Sequence, residues 1–428
     1  MRLAPILLAS ATFAAAGCSG GPSSPSSPAP ALNPASTCGS TWDVLQSLPV
    51  AVEENAAFAA TLYAPVAAAT GAGRNVVFSP LSVSSTLMML GAGAAGETAT
   101  QIQKLLHLPA PPANVASAYG ALVCEDQTNG SSNGDVLLVA SSVWAQQGRQ
   151  FSAPFLSTLQ DAFGAPLHQV DLAGDPAVAT GDIDTWVSQR TQSRIPELLQ
   201  PGDLPAGTVL VLADAIYFEG QWSEAFDPSQ TTLQPFTLSD GSQVMVPTMS
   251  GSHLDVGAGS AQGVDVYELG YKDGALAMDF LEPNSGSLAD LEARLTPELL
   301  SSLLMGEGRG GCGRPGQFKV PKFSLDRRSQ LAPALASMGL TDLFDPAKAD
   351  LTGMDGQKDL FVGPVVHEAT IQVDEQGTVA AAATGAVIEP PVCAPMDVWI
   401  NRPFLFLIRN TQNGDILFMG RVEDPRQP

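Results

Sequence analysis

From position 41 onward the chain alternates between helical and strand-like spacing of its apolar positions. Leu45 to Ala69 is Ala-rich, with Val52, Phe58, Leu62 and Val66 spaced for one face of a helix. Ser79-Pro80 predicts a helix start, Ser as cap and Pro at the first position, and Leu81 to Leu90 then reads as a buried helix ending at Gly91. Thr98 to Leu106 predicts a short helix stopped by Pro109, and Ile183 to Leu199, Leu288 to Leu304 and Ser329 to Met338 predict three more. Strands are predicted over Val136 to Trp144, Val209 to Phe218, Val244 to Met249, Val264 to Leu269, Leu276 to Leu281 and Gln317 to Leu325. Further strands are predicted over Val365 to Val373, Val398 to Ile400, Phe404 to Arg409 and Ile416 to Arg421, and Asn413-Gly414 between the last two is a strong hairpin signal. Helices first and many strands afterwards predict an α+β fold with large mixed sheets.

The first forty residues have a different character. Residues 1–17, MRLAPILLASATFAAAG, place Arg2 before an apolar run too short to span a bilayer, which predicts a secretory signal peptide. The run ends Ala15-Ala16-Gly17-Cys18, which resembles a bacterial lipobox with Ala15 in place of the usual Leu, so acylation of Cys18 is expected. The other reading is plain cleavage near Ala16. Several acyl chains at ~0.8 kcal/mol per buried CH₂ would hold the protein to a membrane. Ser19 to Ala35 is built of Ser, Pro and Gly and predicts an extended spacer, giving a tether over 18–40 and a folded domain over 41–428. Cys38, Cys124, Cys312 and Cys393 show no CxxC spacing, and each is open to a disulfide or a free thiol.

The chain has 428 residues, 20 Lys+Arg against 43 Asp+Glu, and a net charge of −23. Such a balance argues against a nucleic-acid partner, which requires a basic surface to release counterions. No basic helix suggests a glycosaminoglycan cofactor either. The four histidines, His107, His168, His253 and His367, are far apart in sequence, and His367-Glu368 opens HEATI without the second His of a zinc helix, so no metal centre is expected. GxSxG, P-loop and GxGxxG motifs are absent, which leaves a hydrolase using Ser79 or Ser250 without a nucleophile motif.

Residues 375–385, EQGTVAAAATG, invite a helix reading, because Ala is the best helix former. Context opposes it: a branched strand with Ile371 and Val373 runs straight in, and Pro390-Pro391 follow. A long loop whose only charge between Gln376 and Pro391 is Glu389 is expected to be functional. With strand period 2, one face carries Thr378, Ala380, Ala382, Thr384, Ala386 and Ile388, the other Val379, Ala381, Ala383, Gly385 and Val387. Neither face is charged, so either suits later burial in a sheet, and Gly377 supplies a hinge.

This segment resembles the inhibitory hinge of the serpin family. The likeness extends along the chain in family order: Phe78-Ser79-Pro80-Leu81-Ser82, Gly91 to Thr98, Ala213 to Trp222, Val320-Pro321-Lys322-Phe323, Asn401 to Phe406 and Ile416 to Val422. It implies helices packed on three β-sheets with an exposed reactive-centre loop at about 375–400. It also implies a monomeric suicide inhibitor of serine or cysteine endopeptidases, not an enzyme and without cofactors. In that family the cut loop inserts as a new strand of the main sheet and drags the acylated protease with it, a known mode of strand addition.

By position, Ser79, Ser82, Asp214 and His367 match the family's shutter, the polar cluster under the centre of the main sheet, with Asp214 where Asn is usual. An Asp beside a His is expected to favour the charged imidazole and make sheet opening pH-sensitive. Trp222, Lys322 and Glu375 match the breach, where the loop first enters, and a Lys322–Glu375 pair there would only gate. Counting from the hinge puts Pro391 before the cut, and counting back from Pro403 puts Val392 there. Val392–Cys393 is favoured because proline is poor before a scissile bond. A small branched residue suits an elastase-like or subtilisin-like pocket, and no Lys or Arg lies between Glu375 and Ile400 to suit a trypsin-like one. The competing functions are a non-inhibitory carrier or chaperone of the same family and a surface-tethered binding module.

Overall fold

Ser79 does cap the helix Pro80–Gly91, its hydroxyl accepting from the Ser82 N–H, and every residue of that helix is buried. The helix packs against strands Val136–Gln146, Leu210–Gln221 and Ile416–Val422, so it lies between two sheets. The structure, a computed structural model, describes residues 42–131, 135–164, 167–252, 254–272, 274–304, 316–378 and 397–428. These belong to one compact unit, Thr37–Pro428. None of the described helices is long and apolar enough to cross a membrane.

Among the described residues there are three sheets, as the resemblance implies. The main sheet runs Phe323–Gln330, Val365–Val373, Leu210–Gln221, Val136–Gln146, His168–Val170, and the pair Gly377–Thr378 adds to the end of Leu210–Gln221. A second, six-stranded sheet runs Val76–Phe78, Ile416–Val422, Phe404–Asn410, Leu276–Pro283, Val264–Gly270, Val256–Ala261. The third runs Val398–Trp399, Phe318–Pro321, Gln243–Gly251, Thr232–Thr237. Strands Phe404–Asn410 and Ile416–Val422 form the expected hairpin, with Gly414 at φ 92° in the turn.

Four expectations need correction. The helix expected over Ile183 to Leu199 is Pro176–Arg190. Asp175 caps it by accepting from Val178 N–H, and it stops where Gln192 and Ser193 take φ of 50° and 63°, before Pro196. The helix expected over Leu288 to Leu304 is two, Leu288–Glu292 and Pro297–Leu304, because Pro297 supplies no N–H to continue the first. The strand expected over Gln317 to Leu325 is also two, Phe318–Pro321 in the third sheet and Phe323–Gln330 in the main sheet, with Lys322 at the crossing. The helix expected over Ser329 to Met338 is only Ala332–Ser337, since Ser329 and Gln330 still pair with His367 and Val366. Helices Pro112–Asn129 and Ala153–Phe163 are additional. Cys124, on the first of these, is disulfide-bonded.

Candidate functional site

The strand Leu210–Gln221 pairs antiparallel with Val136–Gln146 on one side and parallel with Val365–Val373 on the other. The parallel ladder spans Val365↔Leu212 to Thr370↔Tyr217 and ends there. Parallel neighbours in a mixed sheet leave room for a strand of opposite direction between them, antiparallel to both. The chain supplies such a direction. After Val373 it reverses in a tight turn, Asp374 N–H donating to Gly377 O at 2.9 Å and Gly377 N–H to Asp374 O at 3.2 Å. Gly377 and Thr378 then run antiparallel on Gln221 and Gly220. The hinge therefore already occupies the top of the seam between the two strands.

Thr378 is fully buried and its hydroxyl bonds the Tyr271 hydroxyl at 3.0 Å. Thr378, the first residue of one of the two faces left open by the sequence, thus points inward. Tyr271 stacks on Trp222 at 4.7 Å and meets Phe218 edge-on at 4.9 Å. Burial drives its phenol far above the ordinary tyrosine range, so it stays a neutral hydrogen-bonding partner.

Gly377 allows this close approach. Its φ is +143°, and a Cβ there would lie 2.1 Å from Gly220 O and 2.7 Å from Gln221 Cα. A Gly377→Ala change is expected to expel the hinge from the seam. The Trp222 and Phe226 amides, which donate to Gln376 O (3.0 Å) and Glu375 O (2.8 Å), would lose their acceptors. At about 1 kcal/mol for each bond, hydrogen exchange should accelerate roughly fivefold at each amide. Unchanged exchange at both amides would contradict this.

Trp222, Lys322 and Glu375, expected at the breach, lie together. Trp222 Nε1–H donates to Asp374 O at 2.9 Å. Lys322 Nζ, at the crossing between the two sheets, reaches Glu375 Oε2 at 2.5 Å, and Thr231 Oγ1 donates to Glu375 Oε1 at 2.7 Å. Burial raises the Glu375 pKa, but Lys322 and Thr231 outweigh it and hold the carboxyl below its ordinary value. Glu375 is 8% exposed, so its side chain and backbone anchor the turn from which the loop departs.

Ser79, Ser82, Asp214 and His367, expected as a shutter, also lie together. Asp214 and His367 are opposite each other in the parallel ladder and both are buried. Asp214 Oδ2 accepts from Ser82 Oγ at 2.8 Å and lies 2.7 Å from His367 Nδ1, while Oδ1 accepts from Ser141 Oγ at 2.7 Å. His367 Nε2 accepts the Ser79 N–H at 3.1 Å. A nitrogen that accepts a backbone N–H carries no proton, so the imidazole is neutral with its hydrogen on Nδ1, donated to Asp214. The charged imidazole expected from the sequence would set two N–H groups against each other at Nε2. The cluster ties the helix Pro80–Gly91 to both strands that flank the seam.

A titrating group lies one position further on. Glu368 is 8% exposed, and its carboxyl is pushed up from 4.5 to about 7 by burial first and then by Asp326 and Asp184, against Arg328. Because the folded pKa is raised, its stabilisation is full below the unfolded value near 4.5 and is lost as pH rises through about 7. The intact protein should therefore melt lower at pH 8 than at pH 5.5, and Glu368→Gln should remove about 2–3 kcal/mol of that difference. A slope remains in the variant, since Glu54 and Asp415 are raised to about 7 and about 6 by burial. An identical pH slope in wild type and variant would refute this role.

Ala380, Ala382, Thr384, Pro391, Val392, Cys393 and Cys18 lie outside the described residues. Three participants that sequence reasoning passed over are Ser141, Tyr271 and Thr231. Ser141 carries a faint signal, as a small polar residue inside a buried strand; the other two carry none. Among the described residues no cluster of His, Cys, Asp and Glu suits a metal ion.

A family model described as "Serpin (serine protease inhibitor)" matches residues 53–425. The chain belongs to that family. It is 34% identical over 358 residues to "Leukocyte elastase inhibitor A" of Mus musculus, covering 82% of this chain and 93% of that one. It is also 30% identical over 391 residues to an "Uncharacterized serpin-like protein" of Methanosarcina acetivorans, covering 90% and 88%. Among solved structures it is similar to Serpin48 of the insect Tenebrio molitor, with a TM-score of 0.75, 26% identity and coverage of 89% and 98%. Human thyroxine-binding globulin gives a TM-score of 0.77 at 25% identity, covering 89% and 99%. The homologous leukocyte elastase inhibitors are protease inhibitors by name, not proteases, and the fold here is the serpin fold.

Proposed function

We propose that this chain is a suicide-type inhibitor of serine endopeptidases with elastase-like or subtilisin-like pockets, with cysteine endopeptidases as a second target class. The observation that carries this reading is the hinge: Gly377 and Thr378 have turned back and entered the seam, antiparallel to the central strand. Continuing the same register would set Ala380 opposite Phe218, Ala382 opposite Ile216, Thr384 opposite Asp214 and Ala386 opposite Leu212. The side chains that follow Thr378 inward are thus Ala, Ala, Thr and Ala, all small and uncharged. Full insertion replaces the parallel ladder between the two central strands by antiparallel ladders on both sides of the new strand. Each added bond contributes about 1 kcal/mol net.

The covalent step belongs to the protease. Its serine Oγ attacks the Val392 carbonyl carbon, the Val392–Cys393 bond breaks, and the serine proton passes through the protease's own base to the Cys393 amine. Severing the loop removes its downstream tether, and the upstream part, esterified to the protease, zips into the seam. The loop's small residues and the elastase inhibitors among its relatives support the choice of pocket. The same reading takes 1–17 as an export signal and Cys18 as a lipid anchor that holds the inhibitor at a membrane surface through the Ser/Pro/Gly spacer. The test is a denaturing gel after mixing with pancreatic elastase or subtilisin. A denaturant-resistant complex is expected; loop cleavage without complex would assign the chain to carriers or binding modules instead.

A further inference from the structure

A cleft of about 310 Å³ lies where the helix Trp42–Thr70 meets the outer strand Phe323–Gln330 of the main sheet and the helix Ala332–Ser337. Val66 and Ala69 on one side and Leu331 and Ala334 on the other give it an apolar strip, beside Thr70, Ser329 and Gln330. Its rim carries Arg74, Arg327 and Arg328, a concentration of positive charge in a chain whose net charge is −23. Arg328 is already committed to Asp203 and to the Leu198 carbonyl. Arg74 and Arg327 take part in none of the ion pairs of the described residues. Among the described residues Arg327 donates only to the Asn75 carbonyl, from Nε and Nη2 at 3.3 Å each. Burial and the neighbouring Arg74 charge both weigh against the charged Arg327, and Asp326 offsets part of that.

Two adjacent guanidiniums with donors to spare, above an apolar strip, form a fork for an oxyanion that carries a hydrocarbon part. The volume is at the lower end of small-molecule sites, enough for a short tail. We propose that this cleft binds a small amphipathic oxyanion, its phosphate or carboxylate head on Arg74 and Arg327 and its tail on Val66, Ala69, Leu331 and Ala334. A ligand seated there touches both the long helix and the outer strand. That strand pairs along its length with Val365–Val373, so occupancy braces the edge of the main sheet. Binding to the folded form alone raises its melting temperature.

The test is calorimetric titration of the full chain at low ionic strength with octyl phosphate, inorganic phosphate and uncharged octyl glucoside. One octyl phosphate per chain is expected, bound at least tenfold more tightly than inorganic phosphate, with a raised melting temperature and no binding of octyl glucoside. Replacing both arginines (Arg74→Gln with Arg327→Gln) should weaken binding at least tenfold. Should that variant fail to fold, Arg74→Gln alone serves, because this side chain is exposed, and at least a threefold loss is expected. Unchanged affinity in a folded Arg74→Gln protein, equal affinity for octyl and inorganic phosphate, or equal binding of octyl glucoside would each overturn the proposal.

Discussion

Thr378→Arg should turn the inhibitor into a substrate: the loop is still cut, but the denaturant-resistant complex with elastase or subtilisin falls at least tenfold. The reason is local. Thr378 is buried, faces Tyr271 and is the first inward residue of the inserting segment. A guanidinium there replaces a small hydroxyl in a closed contact and costs several kcal/mol to bury. In the intact protein the hinge escapes this by leaving the seam, since among the described residues only Gly377 and Thr378 are engaged. After cleavage it has no such escape, because full insertion in the same register fixes residue 378 opposite Gly220 and against Tyr271. Thr378→Ser keeps a small hydroxyl and should inhibit nearly as well. Undiminished complex formation by Thr378→Arg would be incompatible with insertion through this seam.

Asp214→Ala should be the more damaging change to the intact fold. The carboxylate accepts from Ser82, Ser141 and His367, all buried, and the substitution leaves three donors without an acceptor. At about 1–3 kcal/mol for a buried unsatisfied group, with partial relaxation, a loss of about 3–5 kcal/mol is expected. For a domain of this size that lowers the melting temperature by about 4–6 °C. The damage is also directional: the cluster holds together the two strands that must part, so the variant should lose inhibitory activity on standing, as uncut hinge advances into a weaker seam. Asp214→Asn retains one acceptor oxygen and should lose less. Equal stability and shelf life for Asp214→Ala and wild type would remove the cluster from the mechanism.

Much of this was legible in the sequence because it depends on local rules. Ser79-Pro80 marks a helix start in any context, and Asn413-Gly414 marks a hairpin. The misplaced helix ends beside Pro196 and Pro297 were legible too, since proline interrupts the pattern that apolar spacing alone extends. The hinge could be read as two uncharged faces, but period 2 is symmetric, and only the contact with Tyr271 decides which face is buried. Tyr271 and Thr231 reach the site from the second and third sheets, through pairings that no local pattern encodes. His367 shows the same limit for charge. Its neighbour Asp214 was readable, but the Ser79 N–H that fixes its neutral form was not.

The central claim is that the intact fold stops short of its lowest free energy and reaches it when the loop is cut and inserted. The most direct measurement compares melting of the intact chain with melting of the same chain cleaved between 391 and 396. About ten new strand bonds at roughly 1 kcal/mol each should raise the melting temperature of the cleaved form by 10 °C or more. Identical melting of the two forms would contradict the account.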